Sequence, residues 1–129
     1  MFTIEDIKAE HSKVKSGADF PKYIQGIKKL GVLSYEAYVS DGHINYLGEN
    51  NQTANNAAKY DALKIEEKSN KDQFIADLKA HQQGKTDYLT FCNDCAKSGI
   101  EKWVVDLNKM TCIYYDISKN EILVEQIPS

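Results

Sequence analysis

Apolar residues fall at helical spacing in four stretches of the chain and alternate with polar ones in six others, with Gly, Asp and Asn marking the breaks. Thr3-Ile4-Glu5-Asp6 reads as an N-cap with an acid three residues on, and Ile4, Ile7, His11 and Val14 then share one helical face. The spacing predicts a helix to about Ser16, stopped at Gly17. Asp19 is placed to cap a second helix, with Pro21 in its first turn, where the missing N–H costs nothing. Phe20, Tyr23, Ile24, Ile27 and Leu30 form its stripe, and Gly31 supplies a left-handed stop. Leu33, Tyr35, Ala37 and Val39 alternate as in a half-buried strand, Asp41-Gly42 makes a hairpin turn, and His43 to Leu47 returns.

The polar run from Gly48 to Asn56 has no periodicity and reads as an exposed loop, followed by a weaker strand from Ala62 to Glu66. Ser69 to Asp72 repeats the capping pattern before a third helix with Phe74, Ile75 and Leu78, ended by Gly84. Asp87 caps a fourth, whose stripe is Tyr88, Phe91, Cys92 and Cys95 and whose stop is Gly99. Trp103, Val105 and Leu107 then alternate, Asn108-Lys109 turns, Cys112 and Tyr114 lie on the return, and a last strand runs from Glu121 to Ile127.

Moving Gly31 onto Gly99 shifts the chain by 68 residues (from 31 to 99) and aligns residues 19–46 with 87–114 without a gap. Asp19 then meets Asp87, Tyr23 meets Phe91, Ile24 and Ile27 meet Cys92 and Cys95, Tyr35 meets Trp103, and Tyr46 meets Tyr114. The first helices match poorly, and the asparagine loop reads as longer than its counterpart. The expectation is one domain over residues 1–129, built from a duplicated ααβββ unit with halves at about 1–66 and 69–127. Hairpin-linked strands following helix pairs imply an α+β two-layer sandwich, an antiparallel sheet with helices on one face.

Composition is that of an ordinary globular protein, with 42% hydrophobic and 27% charged residues over 129 positions. No apolar run approaches the roughly 20 residues of a membrane helix, and the acidic start of the chain is unlike a secretory leader, so a cytoplasmic protein without a membrane partner is expected. All 16 basic residues are lysines against a net charge of −3. Without arginine, and with acids interleaved among the early lysines, a nucleic-acid partner is disfavoured. Three cysteines without an export signal point to reduced thiols.

Cys92-Asn93-Asp94-Cys95 has CxxC form, yet its place more than a turn inside the fourth helix is wrong for a redox dithiol, and no further ligands stand at zinc spacing. Neither a phosphate-cradling glycine loop nor a serine nucleophile elbow occurs. Neither a metal nor a cofactor is expected. His11 and His81 fall near apolar helical faces, where packing or capping is the plainer role; His43 begins a strand. The strands carry apolar residues on both faces, so helices on one side would leave Tyr38, Val104 and Tyr115 on the other.

Gly17-Ala18-Asp19-Phe20-Pro21, Gly31-Val32 with Tyr35 and Asp41-Gly42, His81-Gln82-Gln83-Gly84 with Asp87-Tyr88, Gly99-Ile100-Glu101-Lys102-Trp103 and Tyr114-Tyr115-Asp116 together resemble a bacterial and prophage family. It is catalogued as domain of unknown function 1398 and often labelled "phage envelope protein". The resemblance spans nearly the whole chain and implies an α+β fold and a bacterial or prophage setting, but no catalytic residues. The resulting expectation is a non-enzymatic binding or interaction domain in an accessory role, a homodimer through Tyr38, Val104 and Tyr115. The alternative is a small enzyme or small-molecule sensor with a site lined by His81, Asp87, Tyr88, Lys102 and Trp103.

Overall fold

The computed structural model describes residues 2–15 and 17–128. The first helix, α1 (Ile4–His11), opens with the expected capping box: the Asp6 N–H donates to Thr3 Oγ1 at 3.1 Å and the Thr3 N–H to Asp6 Oδ2 at 3.0 Å. It stops short of the expected end, and Ser16 lies outside the described residues. In α2 (Phe20–Leu30) Asp19 precedes the first turn, but its carboxylate accepts the Lys15 N–H at 2.9 Å rather than a bond from the helix. Helix α3 (Lys71–Gln82) is capped by Asn70, one residue after the expected Ser69, through a 3.1 Å bond from the Gln73 N–H. Asp87 caps α4 (Tyr88–Lys97), accepting the Thr90 N–H at 2.8 Å.

The strands are β1 (Val32–Tyr38), β2 (Ile44–Gly48), β3 (Thr53–Asn56), β4 (Ile100–Asp106), β5 (Thr111–Asp116) and β6 (Glu121–Gln126). They form one antiparallel sheet in the order β3-β2-β1-β4-β5-β6, and with the four helices they make an α+β fold. Inward residues of the four central strands, among them Tyr35, Ala37, Ile44, Tyr46, Trp103, Val105, Cys112 and Tyr114, are buried together with Ile7, Ile24, Ile27, Phe74, Phe91, Cys92 and Cys95 of the helices. Outward residues of the same strands are half-buried or exposed.

Two sequence expectations fail in the first half. The asparagine stretch is not simply a loop, because Thr53 to Asn56 pair with Leu47 to Ile44 as an edge strand. The stretch from Ala62 to Glu66 is not a strand; its backbone N–H groups bond the turn after β1 and the end of α4, Leu63 to the Ser40 carbonyl at 2.6 Å and Glu66 to the Ala96 carbonyl at 3.0 Å. Edge strands gain from polar residues that discourage pairing with another chain, so composition alone hides β3. Its start at Thr53 lies 68 residues before the start of β6 at Glu121, but β6 pairs one residue out of the corresponding register after an irregularity between Tyr114 and Tyr115.

The centre of the sheet joins the halves. Glu36 of β1 lies directly opposite Val104 of β4, its counterpart under the same shift. The hydrogen bonds that continue this pairing also correspond, Val39 N–H to the Glu101 carbonyl and Leu107 N–H to the Leu33 carbonyl, both 2.9 Å. Each half carries a bulge at the same place, Val32 to Ser34 and Ile100 to Lys102. A bulge resets the alternation, so Val32 and Tyr35 both face the core, as do Ile100 and Trp103. The expected inward Leu33 gives way to Val32 for that reason.

Gly31 and Gly99 both adopt left-handed backbone at the ends of α2 and α4, with φ of 103° and 79°. Their surroundings differ. A Cβ at Gly31 would meet only Phe2 at 4.0 Å, whereas at Gly99 it would come within 2.7 Å of the Lys68 carbonyl oxygen and 2.8 Å of Ser69 Cα. Gly31→Ala should therefore cost about 1 kcal/mol from backbone conformation alone. Gly99→Ala should cost about 3 kcal/mol, because backbone must also move. Urea denaturation of the two variants checks this; equal losses would refute the packing argument.

Candidate functional site

Of the residues expected to line a site, the structure gathers four and separates the fifth. His81 stacks on Phe91, with ring centres 4.4 Å apart and planes 9° from parallel, and its Nδ1 lies 3.1 Å from the Thr86 carbonyl. Desolvation there lowers its pKa below the usual imidazole value. Trp103 sits in the core, 5.8 Å from Phe91 and 6.0 Å from Tyr114, and meets the edge of Tyr88 at 6.3 Å. Asp87 is occupied as a helix cap, and the bond from Thr90 holds its carboxyl below the ordinary range. Lys102, adjacent to Trp103 in β4, points to the opposite face because side chains alternate along a strand.

On that open face Lys102 meets two of the expected interface residues. Its Nζ lies 5.6 Å and 5.7 Å from the ring centres of Tyr38 and Tyr115, and 3.4 Å from Glu36 Oε1. Tyr38 donates to Glu36 Oε2 at 2.9 Å. Val104, the third, begins an apolar row across the second half, Val104 opposite Ile113 and Ile113 opposite Val124. Across the first half the row that starts from Glu36 is polar, Glu36 opposite Asn45 and Asn45 opposite Asn55.

A different place combines a concave shape with convergent polar groups. Ile7, Lys8 and His11 of α1, Ser12 at its C-cap, Tyr46 of β2, Asn56 of β3 and Lys59 just beyond it line a recess of about 350 Å³. The Tyr46 hydroxyl lies 3.0 Å from that of Tyr23, and either can donate. His11 meets Tyr23 edge-on at 5.5 Å. Lys59 is exposed along its length, while its ammonium group lies 5.2 Å from the ring centre of Tyr88. Partial desolvation lowers the pKa of both Lys59 and His11, and the charge of Lys59 adds to the effect on His11.

The recess exists because the two halves fill equivalent positions differently. In the second half Phe74 of α3 packs 4.8 Å from Tyr114 and 6.4 Å from Phe91. In the first half the counterparts Tyr46 and Tyr23 face α1, which brings Ile7 and His11 and leaves room. Where Phe91 and Trp103 make the second half apolar, Tyr23 and Tyr35 give the first half hydroxyls. That substitution of Tyr for Phe and Trp is visible in the aligned halves and was the available signal for this site. Nothing in the sequence brought Lys8, Ser12, Asn56 or Lys59 to it. His11, read as a packing or capping residue, lines it.

Two positions beside the recess fix Lys59. Its N–H donates to the Asp41 carbonyl at 2.8 Å, and the neighbouring Tyr60 hydroxyl donates to the Val39 carbonyl at 2.6 Å. A broader groove of about 510 Å³, lined by Glu66, Lys68, Asn70, Asp72 and Lys97, mixes both signs of charge at the start of α3. Among the described residues no group of three or more His, Cys, Asp and Glu side chains is placed to hold a metal ion. No helix of the described residues is long and apolar enough to cross a membrane.

A family model described as "Protein of unknown function (DUF1398)" matches residues 8–126. No curated protein matches the chain.

Cys92, Cys95 and Cys112 are all free and buried. Burial raises each thiol pKa, that of Cys112 up to about 12. At Cys92 the Tyr60 and Tyr88 hydroxyls and the charge of Lys59 partly oppose the rise. In the native protein all three should react with a thiol reagent at least about a hundredfold more slowly than free cysteine, with Cys92 leading. Mass spectrometry of a timed labelling series checks the order; rapid modification of Cys95 would contradict its burial.

Proposed function

The chain belongs to the DUF1398 family, and on that ground we propose that it is a bacterial or prophage accessory protein of the cytoplasm that binds a small molecule in the recess between α1 and the β2–β3 edge. The observation that carries this reading is the recess itself. At about 350 Å³ it lies within the size range of ligand sites, and hydroxyl, amide, imidazole and ammonium groups converge on it. Burial favours binding over catalysis, because it keeps the Tyr46 hydroxyl and the adjacent Cys92 thiol protonated rather than activated. The shared 68-residue shift of α2 with α4, β1 with β4 and β2 with β5 supports descent of the halves from one duplicated ααβββ unit, with α1 diverging to create the site.

Nuclear magnetic resonance titration against a library of small polar compounds tests the proposal. Binders should perturb His11, Tyr46 and Lys59 together. Compounds that perturb only the His81–Trp103 region would move the site to the residues first expected there.

A second reading, self-association through the open sheet face, is favoured by the Val104–Ile113–Val124 row, since Val124 remains 51% exposed. Light scattering at micromolar concentration should show a dimer, and Val124→Lys should return it to a monomer without loss of stability. A monomer under all conditions would remove this reading and leave the recess untouched.

A further inference from the structure

We infer that the recess selects a small organic anion, one carboxylate or phosphate head on a compact apolar body, an inference that rests on the recess being the ligand site. Its lining holds Lys8, His11 and Lys59 and no acidic side chain, although the protein as a whole carries a net charge of −3. Glu10 of α1 pairs with Lys13 at 3.3 Å and packs over Gly26 of α2, outside the lining, although its charge reaches Tyr23. Among the described residues no carboxylate lies within ion-pair distance of Lys59. With no carboxylate beside it, the Lys59 ammonium, 5.2 Å from the Tyr88 ring centre, is open to a bound anion as its partner.

The neutral groups point the same way. Asn56 brings amide donors, the Tyr46 hydroxyl is free to donate when Tyr23 donates to it, and lysines offer donors only. The Ser12 hydroxyl spends its proton on the Ala9 carbonyl at 2.7 Å. A site so rich in donors matches an acceptor-rich head group. Ile7, the ring of Tyr46 and the imidazole of His11 supply apolar walls, which fit a flat body better than a bare ion.

Three probes of similar shape separate the alternatives: benzoate, phenyl phosphate and benzyl alcohol. Titrated into the isotopically labelled full chain, at least one anion should saturably shift His11, Tyr46 and Lys59, binding about tenfold or more tightly than the alcohol. Benzoate against phenyl phosphate reports which head is preferred. Lys59→Met should abolish the preference for the anion, as should Lys8→Met to a lesser degree, while Lys97→Met in the distant groove leaves it intact. If Lys59→Met does not fold, Lys59→Gln and Lys8→Met carry the same comparison. Benzyl alcohol binding the recess as tightly as the anions would overturn this inference and leave the recess a ligand site. No shift from any of the three would overturn both.

Discussion

The pairing of β1 with β4 joins what would otherwise be two separate three-stranded sheets, and its register fixes almost everything around it. With Glu36 set opposite Val104, equivalent positions of the two halves face the core, Tyr35 with Trp103 and Ala37 with Val105. The bulges at Val32 and Ile100 then bring an additional residue from each central strand to the core, directly beneath the ends of α2 and α4. A slip of one residue in the central pairing would turn Tyr35, Ala37, Trp103 and Val105 to solvent. Such a slip is opposed from both sides, since all four are buried against helices.

Within that frame, the site arises where the likeness of the halves is broken. The second half is closed by tilted and edge-on rings of Phe74, Phe91, Trp103 and Tyr114, with the Tyr114 hydroxyl donating to Glu125 Oε1 at 3.4 Å. The first half substitutes hydroxyls and pairs two of them, Tyr23 with Tyr46, at a position that α1 covers incompletely. Buried hydroxyls cost free energy unless bonded, and these two satisfy each other at 3.0 Å while Tyr46 also lines the recess.

Helices were legible because their signals are local: caps at Thr3 and Asp87, left-handed glycines at 31 and 99, and stripes such as Tyr23-Ile24-Ile27 act within a turn or two. Central strands were legible through alternation. The third strand of the first half was not, because Thr53-Ala54-Asn55-Asn56 is polar and is held by its pairing with β2 rather than by its own burial. Leu63 and Ile65 misled in the converse way, being partly buried without any ladder. The site depends on contacts between α1, β2 and the segment at Lys59, separated by dozens of residues, and no local pattern encodes that meeting. Lys102 and Trp103, by contrast, were separable from the sequence, since strand alternation alone places neighbours on opposite faces of the sheet.

Position of Lys59 depends finally on one turn. Gly42 has φ of 79°, and a Cβ there would come within 3.2 Å of the Lys59 Cβ and 2.6 Å of the Tyr60 ring. The close approach lets Asp41 hold the Lys59 N–H while Tyr60 reaches the Val39 carbonyl, so the segment after β3 is drawn against the end of β1. From that anchor the lysine stem extends over Tyr88, on α4, toward a recess built by α1 and β2. The tip of the first hairpin thus reaches the recess through the backbone of a distant segment. This gives the Asp41-Gly42 turn a second role, beyond reversing the chain, in setting where the recess carries its charge.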